Sequence, residues 1–141
     1  MSTTLWLRMS SAIALVFAVG HTLGGVKDWS PMGDNPVLLA MRTVYFDAMG
    51  AHRSYLDFYR GFGYALSVSQ FLIAILLWQL ATLARTQAIT VRPLILAIAL
   101  ANVAGVAIAW HFIFPVPALF SLALVATLAM AYARAARAAA P

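Results

Sequence analysis

The chain has 141 residues, nine basic and four acidic, with 64% of them hydrophobic and only 9% charged. Soluble domains carry roughly 25% charged residues, so this balance and a mean hydropathy of +0.90 point to a membrane protein. Cysteine is absent, which excludes a disulfide framework, a thiol nucleophile and a thiolate metal site.

A bilayer crossing needs about 20 apolar residues, and four runs approach or exceed that length: 5–23, 61–83, 93–114 and 117–132. None shows the two-residue alternation of barrel strands, so the runs read as helices. The expected fold is an all-α, up-down bundle of four transmembrane helices, forming one integral membrane domain over 1–141.

The first run opens on Trp6 and Arg8. Arg8 followed by an apolar stretch and Ala18-Val19-Gly20 resembles a cleavable signal, but three later spans favour a retained helix. Arg8 is then placed to snorkel to the headgroups. Ser10, Ala14 and His21 share one face, a stripe suited to a bundle interior.

Between the first and second runs lies a turn-rich loop. Asp34 or Asn35 can cap a helix with Pro36 at its first position. Val37, Leu38, Met41, Tyr45, Ala48 and Met49 then recur at helical spacing until Gly50. That pattern predicts an amphipathic helix on the membrane surface or capping the bundle.

The second run is entered through Ala51-His-Arg-Ser-Tyr-Leu-Asp-Phe-Tyr-Arg-Gly-Phe-Gly63. Asp57 and Arg60 can pair at i,i+3. Arg60, Gly63, Ser67 and Gln70 extend a polar stripe towards mid-span, where Asn102 of the third run is a partner for Gln70. In the third run Ala97, Ala101, Gly105 and Ala109 form a small-residue ridge. It ends at Trp110-His111 and a short Phe114-Pro-Val-Pro117 turn. The fourth run is Ala-rich scaffold with Thr127 inside it and Leu124 facing lipid.

The charges fix an orientation. Arg8, Arg85, Arg92, Arg134 and Arg137 flank one side without an acid, while Lys27, Arg42, Arg53, Arg60 and all four aspartates (28, 34, 47, 57) fall on the other. The positive-inside rule places both termini in the cytoplasm and the first loop outside. Trp6 and Trp78 at the inner boundary, with Trp29 and Trp110 at the outer, agree with an aromatic belt. Basic residues are not grouped in a single patch, so nucleic acid is not an expected partner. Arginine-over-lysine usage and abundant alanine fit a GC-rich bacterial genome, hence the cytoplasmic (inner) membrane.

All three histidines fall on the outer side, with Asp57, Arg60 and the tyrosines Tyr55, Tyr59 and Tyr64. Ionisable groups are costly at a membrane, which makes this layer the candidate site. Three readings fit it. In one, Asp57 and His21 serve as acid–base groups, oriented by Arg60 and His111. His52, Tyr55, Tyr59, Tyr64, Trp110, Gln70 and Asn102 then line a pocket for a hydrophobic isoprenoid- or sterol-like substrate. Isomerisation, cyclisation or hydration is the chemistry expected there. In another, haem or a metal sits on His21, His52 and His111, or a quinone-linked redox role applies, although no ligand motif supports it. In the last, the chain is a non-catalytic subunit of a larger membrane complex or a homo-oligomer, surrounded by membrane lipids.

Gly20-His-Thr-Leu-Gly24 and Asp57-Phe-Tyr-Arg-Gly-Phe-Gly63 resemble blocks of small bacterial four-helix membrane proteins with the DoxX-like layout. That resemblance implies the four-helix fold and assigns no activity. The layout also resembles the sterol-isomerase and EXPERA group, which use buried acids and histidine. This chain departs from them, having no glutamate and no acid in mid-span.

Overall fold

The structure is a computed structural model and describes residues 2–26, 30 and 32–137, the side chain of Arg137 excepted. It is mostly helical: α1 spans Thr3–Val26, α2 Pro36–Thr43, α3 Tyr55–Leu83, α4 Arg92–Phe112 and α5 Pro115–Arg137, with strands β1 (Tyr45–Ala48) and β2 (Ala51–Ser54) between α2 and α3. All but α2 of these helices are long and apolar enough to cross a membrane. They run past the expected bounds at several ends, most of all α3, which begins six residues early inside the polar motif.

The chain divides into two compact units, Met1–Phe17 with Gln70–Pro141, and Ala18–Ser69. The first unit is built on one apolar core. Leu7 and Ala14 of α1, Leu77 and Ala81 of α3, Ile95 of α4, and Leu124 and Leu128 of α5 all meet in it. Leu124, expected to face lipid, is 1% exposed and therefore core, whereas Leu119 is 61% exposed. An Ala-rich helix has too few large side chains for hydropathy alone to tell its two faces apart.

Small polar groups cross this core. Ser10 donates to Thr127 Oγ1 at 2.8 Å and Ser11 to the Ala74 carbonyl at 2.7 Å. Each satisfies a hydroxyl where no water reaches it. The expected partnership of Gln70 and Asn102 does not form. Asn102 donates instead to the Ile98 carbonyl of its own helix, and Gln70 Oε1 is buried without a partner. The α4 ridge is also displaced from its expected register. Ala97 and Ala101 are exposed, and the buried line runs Ile95, Asn102, Ala109. Gly105 does face a helix, since a Cβ there would stand 3.3 Å from Ser121 Oγ of α5.

In the second unit the expected loop helix is cut short. Asn35 caps α2, its side chain accepting from the Val37 and Leu38 amides at 2.9 and 3.0 Å, with Pro36 following it. The helix stops at Thr43, and residues 45–54 form an antiparallel hairpin instead. Val44, Tyr45 and Phe46 are β-branched or aromatic and favour a pleated strand. Met49 and Gly50, with φ of 51° and 82°, make the two-residue turn that such hairpins favour. Lys27, Asp28, Trp29 and Pro31 lie outside the described residues, so the outer-belt role expected of Trp29 does too.

Candidate functional site

The start of α3 is where local chemistry and position meet. Ser54-Tyr-Leu-Asp57 is a capping box. The Asp57 amide donates to Ser54 Oγ at 3.1 Å. The Asp57 carboxylate in return accepts from the Ser54 amide at 3.0 Å and its hydroxyl at 2.9 Å. These bonds satisfy orphan donors of the first helical turn, and the negative charge suits the positive end of the helix dipole. The hydrogen bonds of Asp57 go to Ser54, and Arg60, at pairing distance in sequence, adds an electrostatic attraction to the same carboxylate.

The hairpin sorts its side chains onto two faces. Asp47 and His52 are cross-strand partners, and the His52 Nδ1–H donates to Asp47 Oδ1 at 2.8 Å. The His52 ring also stacks on Tyr45, with centroids 4.9 Å apart and planes within 5°. On the opposite face Phe46 packs against Tyr55 and Phe58 at 5.0 and 5.7 Å, and Phe58 meets Phe62 edge-on at 4.9 Å. Edge-to-face contacts of this kind hold a run of rings in fixed orientation.

Beside those rings lies an open groove of about 320 Å³, lined by Arg53, Asp57, Phe58, Gly61, Phe62 and Ala65. It has a charged end at Arg53 and Asp57 and an apolar wall of two phenylalanines. Gly61 and Ala65 keep its floor low, and a Cβ at Gly61 would meet nothing within 4 Å. Sequence reasoning missed this groove. Its signal was present: 57, 61 and 65 recur every four residues, as do 58 and 62, so small residues and rings fall side by side on one helix face.

The other expected site residues fall in both units. His21, half-buried, makes a 3.0 Å hydrogen bond between Nδ1 and Ser67 Oγ, and Ser67 is itself buried. Tyr55, Tyr59 and Tyr64 are exposed, while Arg60 is half-buried. His111 belongs to the other unit, where its exposed ring meets Phe112 edge-on at 4.5 Å, next to Trp110 at 73% exposure. Among the described residues no three His or Asp side chains gather closely enough to hold a metal ion.

The other unit holds two of its cations differently. The Arg8 guanidinium lies 4.4 Å from the Trp78 ring centroid, and that of Arg92 lies 4.1 Å from Tyr132. The Arg8 guanidinium thus rests on an aromatic face, which offsets part of the cost of holding the charge beside apolar side chains. No family model, no curated protein and no solved structure matches this chain.

Proposed function

We propose that the protein is a multi-pass protein of the bacterial cytoplasmic membrane that binds a hydrophobic, isoprenoid- or sterol-like amphiphile on the outer half of α3. The observation that carries this reading is the groove with one charged end and one aromatic wall. An amphiphile would set its polar group against Arg53 and Asp57 and its apolar body against Phe58 and Phe62, the usual division of labour in such sites. Binding is preferred to acid–base turnover because Asp57 serves as the reciprocal cap of α3, its Oδ2 accepting from both the Ser54 amide and hydroxyl. A carboxylate that holds the helix start through its charge suits a fixed polar contact better than a group that changes protonation in every turnover.

An up-down arrangement with both termini cytoplasmic accompanies this reading. It is supported by contacts whose numbers rise in one helix as they fall in the next: Arg8 with Trp78 and Ser11 with Ala74, then Arg92 with Tyr132 and Gly105 with Ser121. A reporter after Pro141 should then be cytoplasmic and one near Gly33 external. Both on one side would defeat the four-span arrangement.

Gly61 gives the cleanest test of binding. Gly61→Leu projects a side chain into the groove from a position where a Cβ meets nothing within 4 Å, and leucine is the better helix former by roughly 0.5–1 kcal/mol. Thermal unfolding in detergent should therefore be unharmed in the variant. The stabilisation given to the wild type by farnesol or cholesterol should be lost. Equal ligand shifts in both proteins would remove the groove as the binding site.

A further inference from the structure

A second cavity, of about 700 Å³, lies wholly within the other unit, between the first turn of α1, the α3–α4 connection and α5. Arg85 and Arg134 line it together with the hydroxyls of Ser2, Thr3, Thr86 and Thr90. Among the described residues no acidic side chain lines it, and its unit has no Asp or Glu: the four aspartates all fall between residues 18 and 69. Charge in this cavity cannot be neutralised by a side chain of its own unit.

The arginines themselves point the same way. Arg8 and Arg92 rest on aromatic rings, Arg42 meets Asp34 at 3.6 Å, Arg53 donates to the His52 carbonyl, and Arg60 is also engaged. Among the described residues, the two arginine side chains that engage no other group are Arg85 and Arg134. Two guanidinium groups beside the hydroxyl-bearing residues Ser2, Thr3, Thr86 and Thr90, with no acidic side chain among the described lining residues, suit a multivalent oxyanion. Phosphate matches the planar fork of arginine and accepts from hydroxyls as well.

We infer that this cavity binds the phosphate group of an anionic ligand. The group arrives from one of two sources, the headgroup of a membrane phospholipid or free phosphate. A basic recess between helices at the cytoplasmic boundary suits the first. The two cavities share no residue, so failure at one leaves the other standing.

The test uses the full chain. Thermal unfolding in dodecyl maltoside is followed against sodium phosphate and against sodium chloride of matched ionic strength. In parallel, protein from nanodiscs of mixed phosphatidylcholine and phosphatidylglycerol is examined by native mass spectrometry for retained lipid. A saturable shift with phosphate but not chloride assigns free phosphate, and preferential retention of phosphatidylglycerol assigns the headgroup. Loss of one charged hydrogen-bond donor should weaken the responding arm about tenfold in Arg85→Gln and in Arg134→Gln. Arg42→Gln, in the other unit, should leave it unchanged. Arg85 is exposed, so its variant folds and decides the matter even if Arg134→Gln does not. No response in either arm, a chloride effect equal to that of phosphate, or an Arg85→Gln protein that behaves as wild type overturns the inference.

Discussion

Residues 1–17 and 70–141 carry five arginines and no acid, whereas residues 18–69 carry four cations and four aspartates. The two units handle polarity by different physics. In the first, the cations Arg8 and Arg92 lie on aromatic faces and hydroxyls bond across helices through an apolar core. In the second, several polar groups are satisfied within a few residues, Asn35 on the α2 amides, Asp57 on Ser54 and Asp47 on His52, while His21 reaches Ser67 across helices. A shared apolar core distinguishes the first unit, and local capping the second. A uniform bundle would show neither specialisation, so the comparison can be broken at either end.

The largest effect is expected in the first unit. Leu124 is fully enclosed by the shared core, so Leu124→Ala should cost about 2–5 kcal/mol through lost burial and the cavity left behind. The exposed Leu119 should tolerate the same change within about 0.5 kcal/mol. Unfolding of both variants in detergent measures the difference. Equal costs would mean that α5 does not present the face described.

A smaller effect is expected at the hairpin–helix junction. Ser54→Ala removes the cap from α3 and should cost about 1 kcal/mol. Because that interaction is local, faster amide hydrogen exchange should be confined to the first turn of α3, with the core around Leu77 unchanged. Loss of protection in both units together would show that they unfold as one and that the division is only geometric.

How much of this was legible in the residues depended on the range of the interaction. The four long helices were plain because apolar runs and Arg placement are signals summed over many residues. The Asn35 cap was legible because Asn-Pro at a helix start is local chemistry. The hairpin was not read, because Tyr45, Ala48 and Met49 satisfy a helical period, which the strand preference of Val44, Tyr45 and Phe46 and the turn at Met49-Gly50 override. Ser54-Tyr-Leu-Asp57 was a readable capping box overlooked in favour of the Asp57–Arg60 spacing. The buried face of α5 and the displaced ridge of α4 were not readable at all. Alanine-rich helices expose similar small side chains all round, and only the neighbouring helices choose a face.

The claim at the centre of this account is that an amphiphile lies along α3 beside Asp57. Photocrosslinking with diazirine-bearing sterol and isoprenoid probes in membranes, followed by peptide mapping, tests it most directly. The account predicts labels concentrated on residues 53–65, competed by unlabelled probe and lost in Gly61→Leu. Labels spread evenly over the exposed faces of α4 and α5, with residues 53–65 no richer than the rest, would contradict it.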